Sequence, residues 1–232
     1  MSSDIGIGFD FDHTLGIDNK LERTVALAML AKYAAENRRT FDDALAESAI
    51  DATLQQYRGG DRSIDACIAG FFEQVVPGTG VLDIVGEFRD AVVAAAPQHV
   101  EALPGASEML AALDEMGVPY AMLTNGWSPL QEEKARLIGF AGPVFVSERI
   151  GARKPSREAF ATLAKHFELP FEKIWYVGDD PAVDCAGASA LGMTAVWLDW
   201  EHHSYPAELA KPARVIHGLA EIPALVRAAR PA

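Results

Sequence analysis

Beyond residue 97 the chain alternates short apolar runs with helix-length amphipathic stretches, and this rhythm restricts the fold more than any other feature. Helices are predicted over 106–116, 129–138, 155–167, 181–191 and 219–229. Between them lie apolar runs at 120–123, 144–146, 174–177 and 194–198, separated by turn residues such as Gly117-Val118-Pro119. Ile5-Gly6-Ile7-Gly8-Phe9 adds a buried strand ahead of them. Strands separated by helices pair in parallel, because each return to the sheet needs a crossover. The expected fold class is therefore α/β, a Rossmann-like parallel sheet with helices on both faces. Sheets of this kind bind ligands at the carboxyl ends of their strands, near the point where strand order reverses.

Residues 17–97 break the rhythm. Helices are predicted over 21–36, 41–57, 63–75 and 81–96, with few strand candidates. Asn19 or Asp18 is expected to cap the first, and Gly59-Gly60 to stop the second. Pro77-Gly78-Thr79-Gly80 separates the last pair, and Phe71 and Phe72 are expected to pack inside. The organisation predicted is a core of 1–16 and 98–232 with a mostly α-helical insert at 17–97.

Composition narrows the partners. Half of the 232 residues are apolar, enough for a sizeable core. A net charge of −13 argues against nucleic acid or an anionic membrane surface as partner. No apolar run approaches the ~20 residues needed to cross a bilayer. No charged-then-apolar leader precedes the first strand, and Cys67 and Cys185 read as two free thiols, so a cytoplasmic location is expected.

Chemistry-bearing residues stand at the predicted strand ends. The first strand delivers Asp10 and Asp12, two residues apart and able to lie on one side. Neighbouring carboxylates disfavour each other's ionised form unless a positive charge sits between them. A hard divalent cation with oxygen ligands resolves that conflict. The second strand leads to Thr124-Asn125-Gly126, and Lys154-Pro155 opens the helix after the third. The fourth ends in Gly178-Asp179-Asp180, with Asp184 one helical turn on. Asp180 either supports a metal indirectly or caps the helix starting near Pro181. Gly6-Ile7-Gly8 lies within a strand, and Gly78-Thr79-Gly80 lacks the Lys-Ser or Lys-Thr of a phosphate loop. His202-His203 reads as surface loop, because adjacent residues rarely point at one ion, and Trp127 and Trp197 read as core aromatics.

These four sets, in this order, resemble the four motifs of the haloacid dehalogenase-like hydrolase superfamily, over essentially the whole chain. The insert resembles that superfamily's cap placed after the first motif, and 213–219 resembles its late strand and helix. The resemblance implies that Asp10 is the nucleophile that forms an aspartyl-phosphate, and Asp12 the general acid/base. It implies Mg²⁺ held by the carboxylates of Asp10 and Asp179 and the backbone carbonyl of Asp12, with Asp180 and Asp184 behind them. Thr124 and the Asn125 amide would bind phosphoryl oxygens, and Lys154 would neutralise both nucleophile and phosphoryl group. An acid two residues after the nucleophile marks the phosphatase branch, since displacing halide needs no leaving-group proton. His13 stands where many relatives carry glycine, and Ser156-Arg157 departs from the usual helix start. The implied activity is Mg²⁺-dependent hydrolysis of a small phosphorylated metabolite. Alternatives are a phosphotransferase or phosphosugar mutase on the same core, or a phospho-acceptor domain of the receiver type. The insert is expected to close over the strand ends about Gly16, with Lys20, Arg23, Arg58 and Arg62 either touching substrate or simply solvated.

Overall fold

The computed structural model describes residues 5–78 and 81–229. Contacts divide the chain into two compact units, Met1–Ile17 with Glu101–Ala232, and Asp18–Val100. The larger unit is built on a six-stranded parallel sheet. Its strands are β1 (Gly6–Phe9), β4 (Tyr120–Thr124), β5 (Val144–Val146), β6 (Ile174–Gly178), β7 (Thr194–Leu198) and β8 (Arg214–Ile216). Their order is β5-β4-β1-β6-β7-β8. Strand order reverses at β1, which pairs with β4 on one side and β6 on the other, Phe9 lying opposite both Met122 and Val177. The carboxyl ends of these three strands are thus neighbours at the switch point. A short antiparallel ribbon of β2 (Gly16–Ile17) and β3 (Glu101–Ala102) stands apart from the sheet. Gly16 is held in that ribbon opposite Ala102.

Every residue of β4 and of β6 is buried, so both faces of the central strands are covered. One face packs on α8 (Arg157–Phe167), with Phe160 and Leu163 against Ala121, Leu123, Tyr176 and Trp197. Gly8 lets α8 approach β1: a Cβ there would sit 2.5 Å from Leu163. The Gly6-Ile7-Gly8 run is strand, as its sequence suggested, and the structure adds its close contact with α8. Elsewhere α5 (Ala106–Glu115) packs with α10 (Ile222–Ala229).

Several elements differ from the sequence expectation. Residues 181–191 do not form one regular helix. A wide π-type turn, Pro181–Ala186, precedes a short α9 (Gly187–Ser189), because the Asp180 carbonyl accepts from the amides of both Asp184 and Cys185. The start of 219–229 is likewise a tighter turn, Leu219–Glu221, before α10. Pro155 does not open α8; Ser156 caps it, accepting from the Ala159 amide. A short helix, α7 (Ser147–Ile150), follows β5 directly and was not foreseen. Between β4 and β5, α6 (Leu130–Leu137) matches its expectation closely.

The smaller unit is helical: α1 (Leu21–Glu36), α2 (Asp43–Gly59), α3 (Ile64–Val75) and α4 (Val81–His99). Asp42 caps α2 and Ser63 caps α3, each accepting from a backbone amide three residues on. Gly60, in the left-handed conformation, ends α2. Of the two caps expected for α1, Asp18 accepts from the Lys20 amide just ahead of the helix at 3.2 Å, and Lys20 itself takes the N-cap position. Asn19 and Lys20 are both left-handed, and the Asn19 amide donates instead to the His99 carbonyl. Nor does α4 stop before Pro97. It runs on to His99, and the Val100 amide closes the final turn on the Ala96 carbonyl, so this unit extends to Val100. Phe71 and Phe72 are buried, with rings edge to face. Thr79 and Gly80 of the expected separator lie outside the described residues.

Candidate active site

Asp10 follows β1, Asp179 follows β6, and Asp184 sits in the wide turn beyond it. One carboxylate oxygen from each lies within 4.8 Å of the others. Backbone contacts fix the arrangement: the Asp10 amide donates to the Val177 carbonyl at 2.9 Å. The Trp197 indole donates to the Asp179 carbonyl at 2.8 Å, and the Thr14 hydroxyl to Asp179 Oδ1 at 3.2 Å. Gly178 must lack a side chain here, because a Cβ would run into the Asp184 carboxyl group.

Lys154 is the positive charge within this group. Its Nζ lies 2.8 Å from Asp10 Oδ1 and 2.8 Å from Asp184 Oδ1, over the face of Tyr176. Burial would strip its charge, but Asp10 and Asp184 overrule it and hold the ammonium well above its ordinary range. The Asn125 side chain locks the Lys154 backbone, accepting from its amide at 2.9 Å and donating to its carbonyl at 3.0 Å. Thr124, buried at the end of β4, precedes it. Ser147 of α7 braces the same loop, bonding both the amide and the carbonyl of Gly126.

Three carboxylates against one lysine leave an excess of negative charge. Burial, with Asp184 and Asp10 close by, pushes Asp179 up to about 8. Burial also raises Asp184, against the pull of Lys154. Asp10 Oδ1 is buried and accepts no aligned hydrogen bond despite its proximity to Lys154. An all-oxygen donor set, an under-bonded buried carboxylate oxygen and surplus negative charge all fit a hard divalent cation. Asp184 is in the cluster rather than behind it, but both its oxygens already accept hydrogen bonds, from Lys154 and from the Asp180 amide. For Asp180 the structure shows the capping alternative. It is exposed, and its Oδ1 accepts from the amides of Ala182 and Val183 at 2.8 Å each, which makes it a turn cap.

The Asp12 side chain turns away from this cluster toward α6. Its Oδ1 lies 2.9 Å from Lys134 Nζ, and its Oδ2 accepts from Gln131 at 3.3 Å. Lys134 is 2% exposed, and its ammonium also lies 5.5 Å from the Phe11 ring centroid. Sequence reading missed Lys134, Gln131, Thr14 and Ser147. A signal for Lys134 was present: it falls four residues after the buried Leu130, on the inward face of α6, where a lysine needs a partner. His13 is exposed with φ +58, a conformation that glycine adopts more readily than histidine. Trp127 and Trp197 are buried, and Cys67 and Cys185 are free and buried.

The profile of haloacid dehalogenase-like hydrolases matches residues 6–192. A phosphoserine phosphatase of Thermus thermophilus is 30% identical over 176 residues, 68% of this chain and 66% of that protein. The chain spans between about half and two thirds of the length of the first curated relatives it matches. Among solved structures, a 2-haloacid dehalogenase of Pseudomonas syringae superposes with a TM-score of 0.74 at 23% identity, covering 97% of this chain and 100% of that one. A Bacillus subtilis HAD hydrolase bound to magnesium gives 0.70 at 20% identity, covering 96% and 98%. These two share the fold.

Proposed function

From the premise that this chain belongs to the haloacid dehalogenase-like hydrolase family, we propose that it hydrolyses small phosphate monoesters, with Asp10 as nucleophile and Mg²⁺ as cofactor. The observation that carries the reading is Asp12. An acid two residues from the nucleophile, held by Lys134 and Gln131, serves a leaving group that needs a proton, and halide displacement does not. The phosphoserine phosphatase relative supports phosphate esters as the substrate class.

In this reading an Asp10 carboxylate oxygen attacks phosphorus and displaces the ester oxygen. Asp12, a carboxylate while it is paired with Lys134, takes up a proton from solvent as it swings from its α6 partners and delivers that proton to the leaving oxygen. The resulting aspartyl-phosphate is opened by water, from which Asp12, now a carboxylate, removes the proton; inorganic phosphate leaves and Asp10 is regenerated. Lys154 offsets the repulsion between Asp10 and the phosphoryl group, while Thr124 and the Asn125 amide orient phosphoryl oxygens. Asp10, Asp179 and the Asp12 carbonyl would hold Mg²⁺, with Asp184 supporting it; the ion supplies positive charge to the phosphoryl oxygens. The helical insert is assigned the role of a cap that selects the ester.

The test is a panel of phosphorylated metabolites with inorganic phosphate as readout and Asp10→Asn as control. Turnover dependent on Mg²⁺ and absent in Asp10→Asn is expected. A phospho-form that accumulates without phosphate release would instead indicate an acceptor domain.

A further inference from the structure

The peptide group between Asp179 and Asp180 lies just beyond the end of β6, and side chains hold both of its polar atoms. The Asp179 carbonyl accepts from the Trp197 indole at 2.8 Å, and the Asp180 amide donates to Asp184 Oδ2 at 3.1 Å. Asp184 Oδ1 in turn lies 2.8 Å from Lys154 Nζ, and the same ammonium lies 2.8 Å from Asp10 Oδ1. A continuous line of polar contacts thus runs from an indole on β7, through one peptide group, to the carboxylate that follows β1. The Asp179 side chain hangs from the same peptide, its Oδ1 accepting from the Thr14 hydroxyl at 3.2 Å.

Trp197 is itself well fixed. It is buried on β7 opposite Gly178. Its ring meets that of Tyr205 edge to face, centroids 5.0 Å apart and planes at 73°. The Tyr205 hydroxyl lies 2.9 Å from the Ala210 carbonyl and 3.3 Å from that of Pro181, and its single proton serves the nearer. An indole nitrogen donates and cannot accept. A flipped 179–180 peptide would therefore turn its N–H toward a donor and its oxygen toward the Asp184 carboxylate, losing both bonds. The indole and Asp184 together permit one direction of this peptide.

We propose that Trp197 is a positioning residue of the acidic site: by fixing the 179–180 peptide it sets the direction of the Asp179 carboxylate toward the divalent ion and keeps Asp184 on Lys154. The inference rests on the reading that Asp10 and Asp179 hold that ion. Ligating carboxylates depend on the groups that orient them, and hydrogen bonds linked in series reinforce one another in a low-dielectric interior. Trp197→Phe keeps an aromatic ring in place and deletes the donor. The Asp179 carbonyl is then left to water, which can enter by the cleft that Asp179 and Trp197 line, and the peptide is free to turn.

The test is calorimetric titration of the metal-free full chain with Mg²⁺, comparing the native protein with Trp197→Phe and Trp175→Phe. Trp175 is a buried indole near the opposite end of β6 from Asp179, so its variant controls for lost packing. Trp197→Phe is expected to weaken Mg²⁺ affinity by about tenfold, whereas Trp175→Phe keeps native affinity even where thermal denaturation shows both variants less stable. A second measurement needs no change at Trp197. Its indole N–H resonance, assigned by elimination from the Phe variants of Trp127, Trp175 and Trp200, is expected to shift as the native chain fills with Mg²⁺. Native affinity in Trp197→Phe, an equal loss in Trp175→Phe, or an indole resonance that ignores Mg²⁺ overturns the inference and leaves the ion site standing. A native chain that takes up no Mg²⁺ overturns the inference together with the reading beneath it.

Discussion

Asp12 and Asp10 are two residues apart in sequence yet have different neighbours. Asp10 meets Lys154, and Asp12 meets Lys134, because one carboxylate turns toward β6 and the other toward α6. Lys134 thereby fixes where the ionised Asp12 waits between turnovers, and Lys134→Met isolates that positioning. The substitution keeps the apolar stem of the side chain and removes the ammonium. Turnover of esters with poor leaving groups is expected to fall by roughly ten- to a hundredfold, part of what a general acid contributes. Activated aryl phosphates, which need little proton assistance, lose much less. Equal losses on both substrate types would remove Lys134 from the acid's support. Asp10, Lys154 and Asp179, which the fold brings together, were legible because each sits in a short local pattern. Thr14 and Lys134 were not, since their partners lie 165 and 122 residues away.

Most elements follow from local rules, and exceptions occur where a tertiary demand competes. Asp42 and Ser63 cap α2 and α3 because their side chains satisfy amides that the helix leaves unpaired. Asp180 was ambiguous in sequence, since the same residue type serves metals and helix starts. Its two amide bonds show the turn cap. Asp180→Ala is accordingly expected to cost about 1 kcal/mol of stability, read by chemical denaturation, while leaving turnover near native. A loss of Mg²⁺ affinity of about tenfold or more would return Asp180 to the metal's supporting shell. The 181–191 stretch reads as a plain helix because nothing local signals the doubled acceptance at the Asp180 carbonyl, which widens the turn and carries Asp184 to Lys154.

At the scale of the molecule, the acidic cluster couples stability to pH and metal. In the unfolded chain Asp179 titrates at its ordinary 3.8, and in the metal-free fold at about 8. Between those values the fold binds a proton that the unfolded chain has lost, so this group's contribution to stability declines as pH rises through that window. A divalent ion bound to the ionised carboxylates acts in the opposite sense and is favoured once the proton is gone. Mg²⁺ is therefore expected to raise Tm more at about pH 8 than at about pH 5, as seen by thermal denaturation. A shift that is independent of pH, or larger in acid, would mean that Asp179 does not hold the ion.

The residues by themselves determined the α/β class, the helical stretch inserted after the first strand, and the acids, threonine and lysine at the strand ends. Those features rest on periodicity, capping and turn chemistry, which act within a few residues. Only the tertiary structure decided which lysine meets which aspartate, that Asp180 caps a turn, and that Trp197 of β7 bonds the Asp179 carbonyl. Such contacts join groups far apart along the chain, and their energies depend on burial and on backbone direction. No local pattern encodes either, because the same side chain is solvated, buried or paired according to what the fold packs beside it.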